Sequence, residues 1–335
     1  MVIKILLFIN DYLSVLAKKG ELTERYYNPG NLFDEVHIIL TNNDNPQISD
    51  IQKTVGSANL FIHNLPPPSF KYSFGWQPIF LNNWVNQAKK ITQSIQPDLI
   101  RCQGFNIHSF LAAKVKETLK IPAVISLHGN PDVDYLRLCT TYQQKFYVKR
   151  WKNLAESQLQ KFDHVIAVYS PIESYLDQKG ITNYSVIYNV VGRGAQQKED
   201  YSLQGTLKCI SIGRQSVDQK DPRNIIRAIA NLSDVTLYLV GNGDLHDSIV
   251  QLIDELDLRD RVILIPSFAN EVIMDTLKNY DVYVYNSINY EISKTVMEAA
   301  LVGLPIVHNI RSPYLSNELE KLDILKVQNS ALGYQ

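Results

Sequence analysis

Cysteine is scarce and unpatterned in this chain: Cys102, Cys139 and Cys209 are the only three among 335 residues. An odd, widely spaced set makes no disulfide framework and lacks metal-ligand spacing, so the thiols read as reduced, buried residues of a cytoplasmic protein. Excess charge is missing as well, with 33 basic against 34 acidic side chains. A nucleic-acid binder carries a basic excess or stripe, and this balance supplies no global field of that kind. The opening MVIKILLFIN turns polar at Asn10 and Asp11, too soon for a signal peptide or a membrane span. It reads instead as a first buried parallel strand. Neither a solenoid-period repeat nor a low-complexity tract is present.

What is there suits two domains. The length exceeds that at which one core keeps growing, and 45% apolar residues provide for two cores. Apolar strands at 3–9, 35–40, 59–64, 98–101, 123–128 and 165–169 alternate with helix-like stretches. The style repeats at 207–212, 235–240, 261–265, 281–285 and 305–309. Such alternation predicts an α/β protein with mostly parallel sheets covered by helices on both faces. A Gly- and Gln-rich stretch without periodicity suggests a linker at 191–205, between an N-terminal domain at 1–190 and a C-terminal one at 206–335. Two Rossmann-like sheets facing each other would leave a cleft between them.

Three segments of the second half carry chemistry. At 289–305, NYEISKTVMEAALVGLP runs from a polar loop into an apolar helix. Ser293 or Thr295 can cap that helix, and its first amides, around Lys294, point toward any anion placed there. Glu298, about one turn in, can accept hydrogen bonds from two vicinal ribose hydroxyls. A plain amphipathic helix with Glu298 on its solvated edge is the other reading of the segment alone. At 209–229, CISIGRQSVDQKDPRNIIRAI gives a strand ending at Gly213, a loop with Arg214 and Lys220, then a helix. Two cations at the carboxyl end of a strand suit a pyrophosphate. At 235–244, VTLYLVGNGD closes a third strand in Gly241 and Gly243, which either admit a ligand to the backbone or serve the turn alone.

In this order and spacing the segments resemble the retaining glycosyltransferases of family 4, of GT-B fold. The likeness covers most of 208–308 through IGRQ, KDP, NIIRAI, YLVGNGD, RVILIPS, EVIMDTLKNYDVYVYNS and TVMEAALVGLPIV. It extends more weakly through PDLIR, IPAVISLHGN, FDHVIAVYSPIESYL and VIYN in the first half. The resemblance implies a hexosyltransferase-type enzyme that moves a sugar from a nucleoside diphosphate sugar to an acceptor hydroxyl with retained configuration. It implies that Arg214 and Lys220 hold the donor diphosphate and that Glu298 holds ribose. His128, at the end of a first-domain strand and followed by a turn-rich loop, is implied to line the donor-sugar pocket; capping a turn is its blander role. Gly20 stands near the family's glycine-rich loop, and Ser267 and Phe268 belong to loops that select the nucleotide.

The family usually shows two glutamates separated by seven residues, and here Tyr290 occupies the first position with Glu291 beside it, so that only six residues separate Glu291 from Glu298. Glu291 either reaches the donor sugar despite the shift or is a loop charge favourably near a helix N-terminus. No metal cluster is visible, which fits an enzyme that neutralises the diphosphate with side chains rather than a cation. The expected acceptor is a glycan or lipid-linked glycan in cell-surface polysaccharide or glycoconjugate synthesis. The expected location is cytoplasmic, with weak peripheral contact at the inner membrane face. For that contact there are two patches, PPPSFKYSFGW at 66–76 and QQKFYVKRWK at 143–152. Each also reads as ordinary structure: a satellite core in the first, a solvated charged helix in the second. Alternatives to catalysis of transfer are a silent GT-B-like binding or partner subunit, and a GT-B sugar-nucleotide epimerase.

Overall fold

The computed structural model describes residues 2–68, 77–132, 141–189, 196–203, 205–217, 220–267, 270–287, 293–309 and 321–335. The chain divides into two compact units, Met1–Tyr188 and Asn189–Gln335. Unit 1 holds a seven-stranded sheet of β1 Lys4–Ile9, β2 Glu35–Leu40, β3 Asn59–Asn64, β4 Leu99–Gln103, β5 Ala123–Leu127, β6 His164–Ala167 and β7 Tyr184–Val186. Their order is β3-β2-β1-β4-β5-β6-β7, and every ladder among the described residues is parallel. On β1, Ile5, Leu7 and Ile9 join one apolar cluster while Leu6 and Phe8 join another. Side chains alternate across a strand, so both faces of this sheet are covered, as a parallel sheet requires.

Unit 2 repeats the plan with β8 Leu207–Ile212, β9 Val235–Val240, β10 Val262–Ile265, β11 Val282–Tyr285, β12 Ile306–Asn309 and β13 Ile324–Val327, in the order β10-β9-β8-β11-β12-β13. Cys209 of β8 packs into one cluster while Ile210 and Ile212 pack into another. In each sheet the winding reverses between the first strand and the fourth: β1 and β4 in unit 1, β8 and β11 in unit 2. Ligands of open α/β sheets bind in the crevice beyond the carboxyl ends at such reversals.

Of the expected linker, 196–203 and 205 are described, and the stretch 196–203 is fastened within unit 2. The Lys198 amide donates to the Val302 carbonyl at 2.7 Å, its ammonium lies 3.4 Å from Asp281, and the Tyr201 hydroxyl donates to the Gly303 carbonyl at 2.9 Å. Cys102 and Cys209 are buried and free, and Cys139 lies outside the described residues. Among the described residues no helix is long and apolar enough to cross a membrane.

Candidate functional site

The second unit's winding reversal is framed by the loops after β8 and β11. Past β8, Gly213 leads into a loop whose Gln215 and Ser216 are buried and whose Arg214 is exposed. Past β11, Asn286 is buried and its amide donates to the Asp221 carbonyl, tying the two loops together. Lys220 closes the first loop: its amide donates to the Ser216 carbonyl at 3.0 Å. A Cβ at Gly213 would stand 2.3 Å from Lys220 Cδ, so the absence of a side chain there lets the lysine stem lie across the backbone.

That course carries the ammonium to the helix Lys294–Val302. Lys220 Nζ donates to Ser293 Oγ at 3.2 Å and sits 5.0 Å above the Tyr285 ring. Ser293 is the N-cap, in extended conformation, but its hydroxyl makes no capping bond. It pairs instead with Thr295 Oγ1 at 2.9 Å, which also accepts from the buried Tyr283 hydroxyl at 2.7 Å. Burial pushes the Tyr283 phenol far up, so it stays a neutral donor. The cap hydroxyl is thus committed to the lysine. The amides at the start of the helix, which Ser293 would otherwise cap, form its positive end.

Electrostatics favours an anion here. Lys220 and Arg214 form no ion pair among the described residues. The nearest acid in sequence, Asp221, is engaged by Arg223 through bonds of 2.6 to 3.1 Å, and that guanidinium holds its carboxyl below the usual range. A neighbouring carboxylate that would neutralise Lys220 is therefore occupied elsewhere. Glu298, one turn into the helix, is completely buried, so the reading of a solvated edge is set aside; Lys294, at i−4, stands 3.6 Å from its Oε1.

The two downstream glycines have a packing role. A Cβ at Gly241 would fall 2.2 Å from the Gly213 carbonyl oxygen, and one at Gly243 would fall 2.0 Å from that of Gln215. The loops after β8 and β9 touch backbone to backbone, and this contact alone requires glycine at both places. Ser267 follows β10 and is exposed. Phe268, Tyr290 and Glu291 lie outside the described residues.

In unit 1, His128 directly follows β5 rather than ending it. Its Nε2 lies 2.7 Å from the Gln103 side-chain nitrogen, and its carbonyl accepts from the Tyr169 hydroxyl. Gln103 also donates to Tyr26 Oη at 2.6 Å. With the amide donating to its Nε2, the ring carries its proton on Nδ1. Burial, and then the charges of Arg101 and His108, hold its pKa down to about 4, so the ring is neutral at physiological pH. Gly20 follows the helix Leu13–Lys18, which comes between it and β1, and its amide closes the helix end on the Ala17 carbonyl with φ of 65°. A left-handed residue ending a helix is a common reason for glycine.

Sequence reasoning passed over Gln103, Arg101, Tyr26, Asn286 and the Asp221–Arg223 pair. Only Asn286 carried a signal, a polar residue at the carboxyl end of an apolar strand. The helix Tyr142–Glu156 exposes Tyr142 and Phe146, each under a cation, Lys145 at 5.9 Å and Arg150 at 5.6 Å. Its Lys152 is held by Asp132 and Glu156. Of the aromatic patch, 69–76 lies outside the described residues.

Two family models match the chain. The model of Glycosyltransferase Family 4 matches residues 32–192, and that of Glycosyl transferases group 1 matches residues 195–315. An uncharacterized glycosyltransferase of Methanocaldococcus jannaschii is 22% identical over 293 residues, 82% of this chain and 71% of that protein. HepE of Anabaena, solved with UDP and glucose, matches with a TM-score of 0.66 at 17% identity, over 99% of this chain and 87% of its own. The lipopolysaccharide outer core galactosyltransferase WaaB, in its apo form, matches with a TM-score of 0.62 at 17% identity, over 93% and 82%. At these identities the structural likeness shows the fold, GT-B.

Proposed function

Because the chain belongs to glycosyltransferase family 4 and is a glycosyltransferase of GT-B fold, we propose that it moves a hexose from a nucleoside diphosphate sugar to an acceptor hydroxyl with retained configuration. The observation that carries this reading is the contact of Lys220 Nζ with Ser293 Oγ at 3.2 Å, which puts an ammonium without an acid partner among the described residues at the positive end of a helix. Breaking the glycosidic bond to the diphosphate builds negative charge on the leaving oxygens. Preorganised donors stabilise charge that develops in the transition state more than charge already present in the substrate. Lys220, Arg214 and the first amides of the helix Lys294–Val302 do this in the proposed reaction without a metal. Glu298 holds the ribose, and Gly213, Ser293, Lys294 and Thr295 shape the phosphate end.

His128, neutral and with its proton on Nδ1, is a donor for a hydroxyl of the transferred sugar. Glu291, with Tyr290 beside it, is assigned to the same sugar from the resemblance, and Ser267 and Phe268 to the base. UDP is the first nucleotide to test, because HepE was solved with it. The proposed acceptor is a glycan or lipid-linked glycan of the cell surface, glycosylated in the cytoplasm or at the inner membrane face. Calorimetric titration with UDP, followed by a radiolabelled nucleotide-sugar panel, tests the reading. Tight UDP binding that is lost in Lys220→Ala, together with label transfer, supports it. Binding without transfer or hydrolysis would point to a silent subunit, and a new sugar nucleotide formed without acceptor to an epimerase.

A further inference from the structure

The proposed reaction leaves a half-buried cation of unit 1 unused. Arg101 lies on β4, two residues before Gln103 and therefore on the same face of the strand. Its Nε is sealed from solvent with no hydrogen-bond partner, and the guanidinium forms no ion pair among the described residues. Its charge acts on the phenols of Tyr26 and Tyr27 and on the imidazole of His128. Asp11 acts on both phenols and, among the described residues, makes no ion pair with Arg101. A guanidinium keeps its charge in proteins, so burying it without a carboxylate costs stability that a structural arginine recovers from a partner.

The surroundings are arranged for an anion. Burial raises the pKa of both phenols, so they remain neutral donors. Tyr26 Oη already accepts from Gln103, which leaves its proton free to point elsewhere. His128 is neutral, and its Nε2 is occupied by the same amide. The group thus has one fixed positive charge and donors around it. Arg101 sits mid-strand on β4, opposite Leu7 of β1, while Gln103 ends β4 and His128 follows β5, next to the reversal of the unit 1 sheet between β1 and β4. A planar fork of donors suits a carboxylate or phosphate better than a single sugar hydroxyl.

We propose that Arg101, with Tyr26 beside it, is an oxyanion-binding residue of unit 1, and that the acceptor this enzyme glycosylates carries a phosphate or a carboxylate. The site belongs to the unit that lacks the Lys220–Ser293 pair. Its assignment to the acceptor, though not the anion site itself, rests on the transferase reading above.

Hydrogen–deuterium exchange on the full chain separates the two claims, with inorganic phosphate, acetate and UDP as probes. Phosphate or acetate is expected to slow exchange in residues 23–28 and 99–104, and this protection is expected to vanish in Arg101→Met. Protection by phosphate alone identifies a phosphorylated acceptor, and protection by acetate alone a carboxylated one. Without any anion, Arg101→Met is expected to raise Tm, because an apolar chain replaces a half-buried charge whose Nε has no partner. Arg101→Lys, which keeps the charge but loses the fork, is expected to show weakened protection. The proposal is overturned if neither anion protects residues 99–104, if Arg101→Met keeps the protection, or if Arg101→Met lowers Tm in the absence of anion. UDP protection of residues 213–217 and 293–297 reports on the donor reading separately. Its absence, with anion protection intact, overturns only the assignment of the anion to an acceptor.

Discussion

Gly241 lies against the carbonyl oxygen of Gly213 so closely that a Cβ would stand 2.2 Å from it, and its φ of 128° is one that L side chains rarely adopt. The two residues directly follow neighbouring strands, β9 and β8, and their contact fixes the loop that presents Arg214 and Lys220. Gly241→Ala is expected to destabilise unit 2 by about 1–3 kcal/mol, the usual cost of forcing atoms into a packed site. Gly180, also at positive φ but with nothing within 4 Å, carries backbone strain alone, so Gly180→Ala should cost less. Urea unfolding of both variants measures the difference, and equal losses would show that the loop contact has slack.

The strands that alternate with helices were legible because a strand buried on both faces is a continuous apolar run, as at residues 5–9 of β1. β7 and β13 were missed. β7 has three half-buried residues, and β13 leaves Leu325 64% exposed, so neither edge strand writes a continuous apolar run. The strand expected at 98–101 continues through Gln103, because a buried polar side chain bonded to Tyr26 and His128 looks like a loop residue when only its type is known. Lys220 and Ser293 were legible as separate motif residues. That they meet is a product of tertiary structure, since 73 residues separate them. The role of Gly241 was left open by the sequence and is decided by the backbone it touches.

Lys220→Ala should lower sugar transfer by about 10²-fold or more, the scale for losing one preorganised donor. Nucleoside diphosphate should also bind more weakly, whereas the free nucleoside should be unaffected. Ser293→Ala removes the hydroxyl that steadies the ammonium and pairs with Thr295, but keeps the charge, and is expected to do less. Initial-rate assays with titrations of diphosphate and nucleoside check all three. A folded Lys220→Ala protein with normal turnover would refute the role.

Glu298 is completely buried, so its substitution is best made with Gln, which keeps the shape while weakening its bonds to donors. Glu298→Gln is expected to weaken nucleoside diphosphate binding by up to roughly 1.5–3 kcal/mol, the range for hydrogen bonds to a charged group. Inorganic pyrophosphate has no ribose, and its affinity should stay nearly constant. Calorimetry with both ligands separates a ribose contact from general damage to the helix. A parallel loss for both would remove the ribose assignment.

Acidification should destabilise the protein before its carboxylates titrate. His108, His128 and His308 each have their pKa held down to about 4, with burial as the main cause. An unfolded histidine titrates near 6.5. Between those values the unfolded chain binds protons that the native chain refuses, so stability is fully present above about 6.5 and is lost as pH falls toward 4. The depressed acid Glu117, with a pKa of about 2, contributes only below the ordinary carboxylate value of 4.5, leaving the upper part of this window to histidine. His108 is fully interior and bonded through Nε2 to the Gln103 carbonyl at 2.7 Å, so His108→Gln can keep the donor while deleting the proton site. Urea midpoints tracked from neutral pH to about pH 5 should fall in the parent protein and fall less steeply in the variant. A flat profile, or an identical slope in His108→Gln, would mean that His108 titrates normally in the native state.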